Sequence, residues 1–351
     1  KYKEKAKGGV APRPPPRPGA AAPVQSTSTR RTPVATVTTP DAPPATDRPR
    51  PRVPAARRSR RVRERRRLGA LYASPTALFL LVFFVVPVVL VLRMSASDWS
   101  LFVGDRGVNF PTNFGEAVDD RLFWPAIRFT LTYTAITTVI LLGLALGLAL
   151  VVQESGRWTA FVRTSFLVPS ALGLASASLL FYALYSPQSS PISAFLEWAG
   201  IIDTPVSFLG TPGAALWSTV ALVVWRFAGF YMLLLLVGLQ AIPGDVFEAA
   251  RMDGANRWQT FRSITLPLLK PSLALSTILC VTGSLLAFDQ FYVLTKGGPD
   301  NSTVTIVQLV YTMAFQGQND LGRAAALSII VLGGLLVLNA LQFLGLRGDR
   351  D

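Results

Sequence analysis

Long uncharged stretches recur along this chain, and they constrain its fold more than any other feature. Six segments contain at most one charged side chain, and each can supply the roughly 20 apolar residues that a helix needs to cross a bilayer. Buried helices of soluble proteins rarely repeat at that length. The pattern therefore predicts an all-α, polytopic membrane protein with about six transmembrane helices, at about 68–95, 129–153, 164–185, 214–240, 271–294 and 324–346.

Composition agrees with this prediction once the charge is located. Half of the 351 residues are apolar and 15% are charged, whereas about a quarter of the residues in soluble domains are charged. Residues 1–67 hold 19 Lys/Arg and 4 Asp/Glu, and the rest of the chain holds 15 and 16. The net charge of +14 therefore belongs to a Pro/Arg-rich tail, which we predict to be disordered and cytoplasmic because it has too few large apolar residues to form a core.

The run 57–67 of this tail, RRSRRVRERRR, directly precedes the first apolar stretch. One interpretation is a patch for lipid headgroups or nucleic acid. The other is a topology anchor, since basic residues beside a span remain on the cytoplasmic side. The position of the run favours the anchor, and we expect the lipid bilayer, and no nucleic acid, to be its partner.

Missing residue types exclude several kinds of function. The chain has no histidine and a single cysteine, Cys280, so His-based nucleophile systems, histidine metal sites and an internal disulfide are excluded. No G-x-x-x-x-G-K-[ST] motif occurs, so the chain has no P-loop. We expect no enzymatic activity, no cofactor and no metal, and any ATP that drives the protein would bind to another subunit.

Loop charges predict the orientation of the spans. The loops 154–163 and 241–270 and the C-terminus carry Lys or Arg, whereas the loop 186–213 carries none. The first outer loop, 93–128, departs from the trend with four Arg. The positive-inside rule still favours both termini in the cytoplasm of a multi-pass protein in the plasma or inner membrane.

Gly143 and Gly147 form a G-x-x-x-G pattern in the second predicted helix. The pattern is typical of a close helix crossing. It also arises by chance in a helix rich in Leu, Ala and Gly, and both interpretations stay open.

The loop 241–270 has the features of a short helix, a sharp turn and a second helix. Pro243 and Asp245 suit a helix start, and Gly254 permits the positive φ that ends it. We expect the second helix to run from Asn256 to about Ile264, before Pro267. An ordinary amphipathic interfacial loop is the alternative. The candidate contact residues of the first helix and its turn are Phe247, Glu248, Ala249, Ala250, Met252, Asp253 and Gly254.

This loop resembles the EAA motif of ABC importer permeases. Glu248-Ala249-Ala250 is followed after three residues by Gly254, and after nine more by Ile264-x-Leu266-Pro267. The resemblance extends over about residues 123–346 and is greatest to the carbohydrate-uptake group, the maltose and glycerol-3-phosphate permease type. Supporting segments are RTSFLVP (163–169), YVLTKGGP (292–299), Ala314-Phe315 and GRAAA (322–326).

The resemblance implies a fold, a mechanism and a set of partners. The fold would be an ABC type-1 transmembrane permease domain at 123–346, preceded by the helix 68–95 and the tail 1–67. Glu248 to Gly254 would form a coupling helix that docks on one of two ATP-binding cassette subunits. The remaining partners would be a second permease subunit, an extracytoplasmic solute-binding protein and a carbohydrate or polyol solute.

Polar and aromatic residues in the fourth and fifth spans are candidates for the solute path. Arg226 lies in mid-span, where a charge is costly and often functional; the alternative is a structural arginine satisfied by carbonyl groups. Asp289 lies near the outer end of its span, where a hydrated structural role is favoured. The candidates are Arg226, Phe230, Tyr231, Ser284, Phe288 and Gln290.

Two further classes of function remain as alternatives. A stand-alone secondary transporter or channel would also have many spans, but the chain shows no internal repeat and no relay of membrane carboxylates. A membrane-anchored interaction protein would act through the basic tail.

Overall fold

The computed structural model describes residues 69, 71–154, 156–186, 190–202, 204, 206–317 and 319–347. The tail predicted at 1–67 lies outside these residues. The fold of the described chain is helical, with one small hairpin that the sequence did not predict. The elements are α1 (Leu71–Ser95), β1 (Ser97–Ser100), β2 (Gly104–Val108), α2 (Thr112–Val118), α3 (Phe123–Val151), α4 (Arg157–Leu167), α5 (Leu174–Leu184), α6 (Pro191–Trp198), α7 (Pro212–Gln240), α8 (Gly244–Met252), α9 (Arg257–Thr260), α10 (Leu266–Leu285), α11 (Asp289–Leu294), α12 (Ile306–Phe315) and α13 (Leu321–Arg347).

The described residues include five helical stretches that are long and apolar enough to cross a membrane, namely α1, α3, α7, the run 257–294 and α13. A sixth span results if α4 and α5 are counted together. About six transmembrane helices are therefore confirmed. Apolar side chains of α1 face outward along its whole length, as lipid or another subunit would require.

The third span is broken rather than straight, which corrects the single helix expected at 164–185. The helical axis turns by 96° between the segments Arg157–Ala171 and Leu174–Leu184. Leu172 is extended at the turn, with φ −71° and ψ 140°. Pro169 lies just before it and has no N–H to continue the helical ladder.

The second helix of the loop does not end before Pro267 as we expected but continues into the helix of the fifth span. After α9, a π turn at Phe261–Thr265 leads directly into α10. The N–H of Leu266 reaches the carbonyl of Phe261, five residues back. This register shift lets Pro267 sit in the first turn of a new helical segment, where its missing N–H costs little. The connecting loop before this helical run is therefore 241–256, and residues 257–270 continue directly into the helix of the fifth span.

The hairpin and α2, which follow the first span, connect that span to the start of the last one. The hairpin β1–β2 follows α1 and pairs antiparallel, and the side chain of Asn113 in α2 donates to the carbonyls of Ser95 and Ser97, at 3.0 and 2.8 Å. Arg323, near the start of α13, contacts Glu116 of α2 at 2.6 Å. The segment between the first two spans is thus held against the beginning of α13.

The core of the described chain consists of three buried apolar clusters, and one of them lies where α3, α7 and α10 meet. Leu141, Met232 and Leu269 are buried there in a single apolar cluster. A Cβ added at Gly143 or Gly147 would meet no other atom of the described chain within 4 Å. The G-x-x-x-G pattern therefore makes no close crossing with another of the described helices.

Candidate functional site

A cavity of about 470 Å³ lies between α3, α7, α10 and α11. Its walls are mostly apolar and aromatic, with a few polar groups, as is common for small-molecule sites. Five of the six residues predicted for the solute path line it, namely Phe230, Tyr231, Ser284, Phe288 and Gln290. Tyr133 and Asp289 also line the cavity.

The break between α10 and α11 brings the polar groups of the fifth span to the cavity. Helix α10 ends at Leu285, and Phe288 has a non-helical backbone, with φ −136° and ψ −62°. The chain then restarts as α11 at Asp289. Ser284 and Gln290 therefore reach the same space from two differently oriented helical segments.

One hydrogen bond joins the second span to this break. The Gln290 amide Nε2 donates to the hydroxyl oxygen of Tyr133, at 3.2 Å, and both side chains are buried. Within the described chain, the amide oxygen Oε1 of Gln290 is buried and makes no hydrogen bond. Buried amide oxygens normally have a partner, and this one has none among the described residues.

Tyr133 was missed by sequence reasoning. It stands in the second span among threonines and aliphatic residues, and its spacing does not distinguish it from a core aromatic. Only its contacts with Gln290 and Phe291 place it beside the cavity.

Arg226 does not line the cavity. Its Nε donates to the carbonyl of Leu172 at 2.9 Å, and its guanidinium lies 4.2 Å from the centre of the Phe227 ring. Its own carbonyl accepts a hydrogen bond from the Ser170 hydroxyl at 2.7 Å. The bond to Leu172 favours the alternative of a structural arginine, with one carbonyl group as its partner among the described residues.

Asp289 contributes an exposed carboxylate to the cavity wall. It occupies the first turn of α11, where the helix dipole favours a negative charge. Among the described residues it has no ion-pair partner within 4.0 Å. An exposed carboxylate therefore faces the cavity, on a residue for which we expected a hydrated structural role.

The second candidate region is the loop between α7 and α10, which forms a helix, a turn and a helix. Gly254 ends α8 with φ +74°. The N–H of Gly254 bonds to the carbonyl of Arg251 and that of Ala255 to the carbonyl of Ala250, at 3.1 and 3.0 Å. Asn256 and Gln259 then cap α9 reciprocally, each at 2.8 Å.

Most of the predicted contact residues of this loop are exposed. Glu248, Ala249 and Asp253 face outward, and Met252 is 88% exposed. Phe247 is half-buried, and Ala250 is buried at 5% exposure. The surface that α8 presents is therefore centred on Glu248 and Met252, and Ala250 packs inward instead of contributing to it.

The two candidate regions are connected by rigid helices. The cavity is lined by α7 and α10, which are the spans on either side of the loop 241–256. Both helices continue from the loop to the cavity without a flexible linker. The loop and the cavity are therefore joined by two continuous helical stretches.

Several characterised permeases are similar in sequence over most of their length. The trehalose/maltose transport system permease protein MalF of Thermococcus litoralis is 33% identical over 266 residues, which cover 76% of this chain and 90% of that protein. The lactose transport system permease protein LacF of Rhizobium radiobacter is 30% identical over 289 residues, with 80% and 94% covered.

The fold is also found in a solved structure. A chain of a bacterial ABC transporter involved in the import of the acidic polysaccharide alginate superimposes with a TM-score of 0.73, covering 83% of this chain and 100% of that one. Since the two sequences are 23% identical, this likeness shows a common fold.

A protein-family model matches a large part of this sequence. Residues 140–344 match the model described as "Binding-protein-dependent transport system inner membrane component", and this range contains the loop 241–256 and most of the cavity lining. The match covers more than half of the chain. This multi-pass membrane protein therefore belongs to the family of inner membrane components of binding-protein-dependent ABC transport systems.

Proposed function

We propose that this chain is one permease subunit of an ATP-driven importer for a carbohydrate or a related polyol. The observation that carries the proposal is the arrangement of α7 and α10, which join an exposed helix-turn-helix at one end to a partly polar, aromatic-lined cavity. The names of the relatives support the class of solute, since MalF is a trehalose/maltose permease and LacF a lactose permease.

In this proposal, α8 is the coupling helix. Glu248, Ala249 and Met252 would dock on an ATP-binding cassette subunit, with Phe247 and Ala250 supporting them from within. Asp253 and Gly254 would form the turn that keeps the docking surface in register. ATP would be bound and hydrolysed by two such subunits and not by this chain, which has no P-loop.

The solute path would run between this chain and a second permease subunit. Phe230, Tyr231 and Phe288 can contact the apolar faces of a sugar, and Ser284, Gln290 and Asp289 can hydrogen-bond to its hydroxyl groups. Polar groups within a span must face such a path or a partner, because lipid cannot satisfy them. An extracytoplasmic binding protein would deliver the solute to the side opposite α8, with both termini of this chain in the cytoplasm.

The proposed function is tested directly by measuring which subunits co-purify with this chain and which energy source drives uptake. The full chain carries an affinity tag and is isolated from its native membrane, and ATPase subunits and ATP hydrolysis are measured in reconstituted vesicles. We expect co-purifying ATPase subunits and sugar uptake that requires ATP inside. Uptake by this chain alone, driven by an ion gradient, would assign it instead to the stand-alone transporters.

A charge reversal on α8 tests the coupling surface within the same assembly. Glu248→Lys should abolish uptake and weaken retention of the ATPase subunits, while Glu248→Gln should preserve both in part. Glu197→Lys makes the same reversal at an exposed position of α6 and should leave ATPase retention unchanged. Normal uptake and ATPase retention in Glu248→Lys would remove α8 from the coupling role.

A further inference from the structure

Four aromatic rings form a connected set, in which three rings beside the cavity contact one another and the fourth extends to the surface. Phe288 lines the cavity, and its ring centre lies 5.1 Å from that of Tyr292 and 5.2 Å from that of Tyr311. Tyr292 and Tyr311 lie 5.1 Å apart, and Tyr311 lies 5.4 Å from Phe315. We call these four residues the aromatic row.

The aromatic row contains residues from two helices, α11 and α12, whose aromatic side chains contact each other. Phe288 and Tyr292 are four residues apart at the start of α11, and Tyr311 and Phe315 are four residues apart on α12, so each pair shares one helix face. The opposite face of α12 carries Ile306, Leu309 and Met313, which are buried in the core. Helix α12 is thus anchored by its other face, and core packing does not require the row.

Exposure distinguishes the row from a buried aromatic cluster. Phe315 is 54% exposed, and Phe288, Tyr292 and Tyr311 are each half-buried. Phe291, on the adjacent position of α11, is 0% exposed and packs edge-on against Phe129 and Tyr133. The chain therefore buries one ring of this region completely and leaves a connected set of four accessible, as is typical of an interaction site.

The row is held rigidly and has polar groups along it. The Thr305 hydroxyl, at the start of α12, donates to the carbonyl of Ala287 at 2.7 Å, which ties α12 to the residue before Phe288. The Gln316 amide donates to the Tyr292 hydroxyl at 3.2 Å. Fixed ring faces beside hydroxyl and amide groups suit a ligand with apolar faces and polar edges, and a fixed site loses little entropy on binding.

We propose that the aromatic row is a stacking site for carbohydrate rings, which extends the solute site from the cavity to the surface. The inference rests on the proposed function, which makes the end of α10 opposite α8 the external end. A sugar ring presents C–H groups on its faces and hydroxyl groups around its edge, so it can lie on Phe315 and Tyr311 before it reaches Phe288. The row would receive an incoming saccharide and lead it into the cavity.

The test measures weak sugar binding to the assembled importer in lipid nanodiscs, with maltotriose as the probe. Saturation-transfer NMR is titrated for the wild type and for Tyr311→Ala, Phe315→Ala and Tyr311→Phe. One aromatic contact corresponds to a loss of about threefold in apparent affinity, which we expect for both alanine variants. Tyr311→Phe keeps the ring and should bind as the wild type does.

The matched control is Trp198→Ala. Trp198 is 82% exposed on α6 and contacts the ring of Phe195, outside the row, and its removal should leave the affinity unchanged. Since ring stacking does not depend on the identity of each hydroxyl group, a wild type without saturation transfer would overturn the proposal. Wild-type affinity in both alanine variants, or an equal loss in Trp198→Ala, would overturn it as well.

The same samples separate this inference from the proposed function. Loss of the second permease subunit from Phe315→Ala would assign the row to a subunit interface and overturn the sugar site, while the importer itself would stand. If the assembly hydrolyses ATP and takes up sugar but the row variants have no effect, the sugar site is likewise overturned and the importer stands. Failure to isolate any ATPase subunit would count against the proposed function instead.

Discussion

The Nε of Arg226 donates a hydrogen bond of 2.9 Å to the carbonyl oxygen of Leu172. Leu172 stands at the 96° turn between α4 and α5, where the helical ladder is interrupted. A carbonyl freed inside the membrane must find another donor, because lipid supplies none. Arg226 supplies that donor from α7, which gives a mid-span arginine a structural reason.

Replacing Arg226 should therefore affect assembly and not solute affinity. In Arg226→Ala, we expect a lower melting temperature of the detergent-solubilised subunit, corresponding to a loss of about 1 kcal/mol or more, since a charged donor is removed. Less assembled importer should be recovered. The KM for uptake by the remaining importer should equal that of the wild type. A raised KM with full assembly would return Arg226 to the solute path.

Gly229 allows the broken span to approach α7 closely. A Cβ built at Gly229 would overlap the backbone carbonyl of Phe166 in α4, and backbone atoms cannot move aside as a flexible side chain can. Gly229→Ala should separate α7 from α4 and strongly reduce the yield of folded protein, measured by size-exclusion chromatography. Gly213→Ala is the control on the same helix, since its Cβ would meet nothing within 4 Å. Equal behaviour of the two variants would contradict the close packing.

The hydrogen bond between Gln290 and Tyr133 should stabilise the junction of α3 and α11. Tyr133→Phe and Gln290→Leu each leave a buried partner unsatisfied, which costs about 1–3 kcal/mol. The double variant should lose less than the sum of the single variants, because it leaves neither partner of this bond behind. The melting temperatures of the wild type, the two single variants and the double variant form a double-mutant cycle. If the two single losses add up to the loss in the double variant, the bond contributes nothing.

Proline should be tolerated at the start of α8 and not in the turn that follows it. Gly254→Pro forces a negative φ where the chain has +74° and removes the N–H that bonds to Arg251. We expect uptake to be lost while the subunit still inserts into the membrane. Gly244→Pro is the control, since Gly244 is the first residue of α8, a position that accepts proline. Uptake at the wild-type level in Gly254→Pro would show that the turn geometry is dispensable.

Alanine substitutions in the cavity should raise the KM for uptake and leave assembly intact. Phe230→Ala, Ser284→Ala and Phe288→Ala each remove one wall group, and a single contact of this kind changes affinity by about 3-fold to 10-fold. The probe is radiolabelled sugar chosen by its binding to the partner solute-binding protein. Trp217→Ala removes an exposed ring of α7 outside the cavity and should have no effect. Wild-type KM in all three cavity variants would place the solute elsewhere, on the partner subunit.

The sequence alone determined the membrane character of this protein, its number of spans and the helix-turn-helix around Gly254. Each of these depends on local quantities. The hydropathy of about 20 consecutive residues decides whether a segment can cross a bilayer, and only a residue that tolerates positive φ, above all glycine, fits the end of α8 without strain.

Tertiary structure decided the bend at Leu172, the hydrogen-bond partner of Arg226, the position of Tyr133 beside the cavity and the continuation of the helix through Pro267. A freed carbonyl or a missing N–H is tolerated only if a donor or a change of register compensates for it. At Leu172 the donor comes from a residue 54 positions away, and at Gln290 the hydrogen-bond partner is 157 positions away. No local pattern carries that information, because the free energy of a buried polar group depends on which distant group the fold brings within hydrogen-bonding distance.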